Sequence, residues 1–192
     1  YASPRGDYRS FTDLKSRKGY LRIRGQEAIN SWHRVSHIAV RQQEFECVAE
    51  TKMEFAPEYS EQMAGMTYGY DAQTYYLLAK TRDVKGKAIL TLIKSDLGTV
   101  TNEVEDIVIA EECPVGLRVE VLDQGRVAHF YYRVGNEEWQ QIGGDFSCEL
   151  VTDEHARGFT GAHFGLYAHD MIDMSGYADF DYFKVEYKRD SH

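Results

Sequence analysis

The sequence predicts an all-β chain folded as a sandwich of two antiparallel sheets. Three observations carry that expectation: apolar and polar residues alternate with period two, turn residues interrupt the alternation at short intervals, and no stretch sustains helical spacing. The 192 residues suffice for one domain with its own core, and no linker, repeat or low-complexity block divides them. A single domain over residues 1–192 is therefore expected.

Each element follows from its own pattern. In "EFECVAETKMEF", Phe45, Cys47, Ala49, Thr51, Met53 and Phe55 fall on one face, and Glu44, Glu46, Glu50, Lys52 and Glu54 on the other, with Val48 the exception. That is a long half-buried strand with a solvated outer face. "TYYLLAK", "KAILTLIK" and "RVAHFYYRV" are apolar on both faces, so they read as inner strands or as strands with one face lining a groove. "GLRVEVLD" alternates again, with Leu117, Val119 and Val121 against Arg118 and Glu120. "LDQGRVAHFYYRVGNEEWQQI" reads as a meander, and "YDAQ", "DVKGK", "SDLG", "DQGR", "VGNEE" and "IGGD" read as turns. The best helical segment is "VTDEHARG", with Thr152 as its cap and Gly158 as its end. Phe45, Met53, Leu117, Val119 and Phe180 are assigned to the interior.

Composition excludes some partners. A net charge of -9 repels phosphate backbones and anionic lipid. The apolar runs are short, and "YASPRGDYRS" has no signal-peptide pattern. It also lacks an initiator methionine, so a piece of a longer chain is expected. Cys47, Cys113 and Cys148 form no C-x-x-C pair and are odd in number, which points to reduced thiols and a cytoplasmic location. The fourteen tyrosines suit a β-rich core, and they also suit a surface that stacks on sugar rings.

Candidate chemistry is sparse. His33 and His37 are four apart but precede a strand-like run, and no third ligand accompanies them. "EVEDIVIAEE" carries five acids that read as solvated faces. A one-strand Glu-x-Asp-x-x-Glu pair is absent, as are G-x-S-x-G, P-loop and G-x-G-x-x-G patterns. Catalysis by this chain alone is not expected, and no catalytic residue is assigned. Asp179 and Asp181 are two apart near the end of the chain and could supply oxygens to a structural calcium. "ARGFTGAHFGLYAHD" sets Phe159 between Gly158 and Thr160. Phe159 either starts a buried strand or stands at the tip of a glycine-hinged loop.

Five segments in order, "GYLRIRGQEAINS", "AVRQQEFECVAETKMEF", "QMAGMTYGYDAQTYYLL", "GFTGAHFGLYAHD" and "ADFDYFKVEY", resemble the C-terminal domain of glycoside hydrolase family 43 β-xylosidases. Arg41-Gln42-Gln43 and Ala178 to Phe183 are the most specific matches. The resemblance implies a concanavalin A-like jelly-roll sandwich. It implies an upstream five-bladed propeller that holds the catalytic carboxylates and hydrolyses terminal xylosyl or arabinosyl residues with inversion. It further implies that Phe159 reaches into the propeller's substrate pocket and so meets a xylo- or arabino-oligosaccharide. No cofactor is required in that reading, and a homo-oligomer is open. The alternative is an independent carbohydrate-binding, lectin-like module, and a third reading is a scaffold for oligomerisation.

Overall fold

The structure is a computed structural model describing residues 6–188. In chain order the strands are β1 (Thr12–Asp13), β2 (Leu21–Arg24), β3 (Ser36–Arg41), β4 (Cys47–Glu54) and β5 (Gln62–Gly69). Then come β6 (Tyr75–Arg82), β7 (Ala88–Asp96), β8 (Thr99–Asn102), β9 (Ile107–Val108) and β10 (Val115–Leu122). The last four are β11 (Val127–Val134), β12 (Gln140–Ser147), β13 (His163–Asp170) and β14 (Tyr177–Tyr187). One sheet has the order β1-β2-β14-β4-β10-β11-β12, and the other β3-β13-β5-β6-β7-β8, with β9 also paired to β7. All named pairs are antiparallel. Among the described residues, no helix is long and apolar enough to cross a membrane.

The main core lies between the sheets. Cys47, Ala49 and Met53 of β4, Leu117, Val119 and Val121 of β10, and Phe180 of β14 point into it, facing Met66, Leu78, Leu90 and Leu166 of the other sheet. The alternation of β4 and β10 thus sets their inner faces as expected. Phe45 departs from expectation: it is 74% exposed. The strand starts only at Cys47, and the Phe45 ring lies over the β10–β11 turn, 3.1 Å from where a Cβ on Gly125 would sit. Glu50 departs in the other direction. It is buried on the outer face, accepting from Arg118 Nε at 2.8 Å and from the Tyr182 hydroxyl at 2.6 Å.

Strand β6 is buried on both faces except at its last residue, as its composition suggested. The physical reason is a second, smaller core. Ile29 and Val35, from the segment between β2 and β3, fold over the outer face of the second sheet against Tyr75, Leu77, Ala79 and Tyr167. Strand β11 has only one well-buried face, through Ala128 and Phe130, because nothing comparable among the described residues covers its outer side. The short helix α1 (Asp153–Ala156) forms where expected, with the Thr152 hydroxyl accepting from His155 N. It ends one residue early, at Arg157, whose φ of 59° turns the chain left-handed.

Candidate functional site

The second sheet delivers a loop, residues 157–162, between α1 and β13. Phe159 is 96% exposed at its tip, so it starts no buried strand. The backbone around it is nevertheless tied down. Gly158 N donates to the Asp153 carbonyl at 3.1 Å. Thr160 N donates to the Tyr70 hydroxyl at 2.9 Å, and Gly161 N to Asp153 Oδ1 at 3.1 Å. The same Asp153 oxygen accepts from the Tyr70 hydroxyl at 2.5 Å. That hydrogen bond, with the Gly161 N–H, holds the Asp153 carboxyl below its usual value. Both neighbouring glycines are required. A Cβ on Gly158 would lie 2.5 Å from the Tyr70 oxygen, and Gly161 has a φ of +74°.

Beside the loop is a groove of about 430 Å³ with Ile29, Val35 and Ala39 among its apolar walls and Arg41, Asp71 and Thr160 among its polar ones. His37 and His163 also line it. His37 Nε2 is 2.8 Å from Thr67 Oγ1, and the ring lies across Gly165, where a Cβ would come within 2.3 Å of it. Burial, then the nearby His163, pushes His37 down to about 3. Burial pushes His163, and His169 toward the other end of β13, down to about 4. All three are neutral at pH 7, so the two that line the groove, His37 and His163, bring it no imidazolium charge. His33 sits in the exposed segment before β3, apart from this arrangement.

Asp179 and Asp181 are not brought together as a metal site. Asp179 is 4% exposed, and its two oxygens accept from Arg22 Nε at 2.8 Å and Arg22 Nη2 at 3.0 Å. Arg17 stands 3.4 Å from the second oxygen. Asp181 falls at a bulge between Phe180 and Tyr182 and points to solvent, so the shared face expected from spacing two does not exist. Among the described residues, no three His, Cys, Asp or Glu side chains gather as metal ligands. The donors present do not fit calcium, because a bidentate guanidinium already neutralises Asp179. The three cysteines are free, with Cys47 and Cys148 buried.

Tyr70 reads from the sequence as a core or sheet-face tyrosine rather than a sugar platform, and it is buried, but its pairing with Asp153 escaped the sequence reading. Thr152 as a cap places the start of α1 but not the partner of its first residue. Tyr70 and Asp153 are 83 positions apart, and no local pattern links them.

Comparison with known proteins gives a consistent picture. Residues 2–186 match the model of the β-xylosidase C-terminal concanavalin A-like domain. A xylosidase/arabinosidase 43B from Humicola insolens is 34% identical over 175 residues, covering 86% of this chain and 32% of that protein. A putative β-xylosidase from Escherichia coli K12 is 31% identical, covering 90% of this chain and 33% of that protein. The crystal structure of a xylan β-1,4-xylosidase from Bacillus halodurans C-125 superposes with a TM-score of 0.88 at 33% identity, over 96% of this chain and 35% of that one. The chain thus spans about a third of the length of the curated relatives it matches.

Proposed function

Because the chain belongs to the β-xylosidase C-terminal concanavalin A-like domain family, we propose that it is the accessory domain of a glycoside hydrolase of the β-xylosidase or α-L-arabinofuranosidase type. In this reading it packs on an upstream five-bladed catalytic propeller, and Phe159 enters that domain's substrate pocket.

The observation that carries the reading is the setting of Phe159. Burying a phenylalanine side chain contributes roughly 1.5–3 kcal/mol. A single exposed apolar residue is ordinary, but this one stands on a backbone restrained on both sides. The adjoining groove, with Ile29, Val35 and Ala39 on its walls, offers an apolar surface for a neighbouring domain. At the mouth of a pocket that takes one or two pentoses, the phenyl ring would pack on the sugar and displace water. Hydrolysis with inversion needs an acid and a base carboxylate on opposite faces of the sugar. Both belong to the upstream domain in this reading, and this chain supplies the wall. The free, mostly buried thiols support a reducing compartment such as the cytoplasm.

The test is kinetic. In the enzyme that includes the upstream domain, Phe159→Ala should lower kcat/KM for a small aryl xyloside or arabinoside by about tenfold or more. The melting temperature of this chain should stay almost unchanged. Unaltered kinetics with a large loss of stability would make Phe159 a structural residue and remove the pocket reading.

A further inference from the structure

We propose that Tyr70 and Asp153 are positioning residues that hold Phe159 outward, acting as one hydrogen-bonded unit. The proposal rests on the reading of Phe159 as a pocket residue, but its geometry stands on this chain alone.

Tyr70 follows β5 directly, and its side chain is buried, so the phenol is anchored in the sandwich rather than in the loop. Its hydroxyl works in both directions. It donates to Asp153 Oδ1 at 2.5 Å and accepts from Thr160 N at 2.9 Å. Asp153 then takes the other side of the tip. Its carboxylate accepts from Gly161 N at 3.1 Å, and its carbonyl accepts from Gly158 N at 3.1 Å. The backbone on either side of Phe159 therefore ends on this pair. Gly158 also sits directly on the Tyr70 ring, with 2.7 Å between its would-be Cβ and ring carbon Cε1. That contact leaves no room for a side chain at position 158, and Phe159 beside it is exposed. An ionised acceptor strengthens such hydrogen bonds and sets their direction. A rigid tip matters because a pocket wall displaced by about 1 Å can cost two orders of magnitude in rate.

The test has two readouts. In this chain, Tyr70→Phe keeps the ring and removes only the hydroxyl. Amide exchange at Thr160 should quicken about tenfold, the size expected for one lost hydrogen bond. Gly161 should quicken with it, because Asp153 loses its orienting partner. Exchange unchanged at both amides would overturn the proposal. In the longer enzyme, Tyr70→Phe should lower kcat/KM in the same direction as Phe159→Ala, and the double variant should be no worse than Phe159→Ala alone. Asp153→Asn, which retains an acceptor oxygen, should fall between wild type and Asp153→Ala. If Phe159→Ala lowers kcat/KM while Tyr70→Phe does not, or if the two losses add, the positioning role is refuted. If Phe159→Ala has no kinetic effect, the pocket reading fails, and the exchange experiment still decides whether Tyr70 and Asp153 hold the loop.

Discussion

At one end of β13 the Asp153 carboxylate ties down the 157–162 loop. At the other end the Asp170 carboxylate ties down the 171–176 loop. Asp170 accepts from Ile172 N at 2.9 Å, Gly176 N at 2.8 Å and Gln62 Nε2 at 3.3 Å. Both loops thus end on one acidic residue, but the Asp170 side chain accepts from several backbone N–H groups, whereas the Asp153 side chain accepts from Gly161 N and the Tyr70 hydroxyl. They also differ in burial. Asp170 is fully buried, whereas Asp153 is exposed. Burial by itself would raise the Asp170 carboxyl, and the N–H groups of Gly176, Ile172 and Asp173 with Gln62 outweigh it, holding it at about 2. One loop is therefore part of what keeps the sandwich folded. The other lies at the surface, and in the proposed reading its order serves Phe159. The same chemistry yields stability where water is excluded and geometry where it is not.

The largest expected effect breaks the buried half. Asp170→Ala should lower stability by about 3 kcal/mol, because it leaves buried donors without an acceptor. Chemical denaturation checks it, and a midpoint near wild type would show that the two carboxylates are equivalent after all. Acid comes next and separates two windows. His37, His163 and His169 fall from 6.5 to about 3, 4 and 4 on folding. The unfolded chain takes up those protons first, so their contribution is complete above about pH 6.5 and drains as pH falls toward 4 and 3. The Asp170 carboxyl is lowered from 3.8 to about 2, so its contribution is complete above about pH 4 and is lost as pH falls toward 2. Melting temperatures across pH 7 to 2 should decline in those two stages, and a flat profile down to pH 4 would remove the histidine window. Asp153→Asn should shift stability by less than about 1 kcal/mol while loosening the loop by amide exchange. The smallest effect on folding should come from Phe159→Ala, within about 0.5 kcal/mol of wild type in this chain. Added calcium against a chelator should leave the melting curve where it is, since Asp179 is satisfied by Arg22.

Much of the fold was legible because alternation reports which face of a strand is inside. Leu117, Val119, Met53 and Phe180 are in the core as read. Phe45 shows the limit of the same signal: the alternation runs two residues past the start of β4, and pattern alone cannot say where pairing begins. Asp181 shows a second limit. One extra residue in a ladder reverses every face beyond it, and a bulge has no reliable signature in one sequence. Phe159 was legible as a question, because flanking glycines permit either a tight strand entry or an outward tip.

By itself, then, the sequence determined the all-β class, the inner faces of the long strands, the position of the short helix and the family resemblance. Each depends on residues near one another along the chain, through period-two spacing, caps and ordered motifs. Only the tertiary structure decided that Asp179 pairs with Arg22, that Ile29 and Val35 cover the outer face of β6, and that Tyr70 meets Asp153 beneath Phe159. Those pairings join residues up to 157 positions apart. They arise from sheet order and register, which bring distant segments to one place only after the long-range loops have closed.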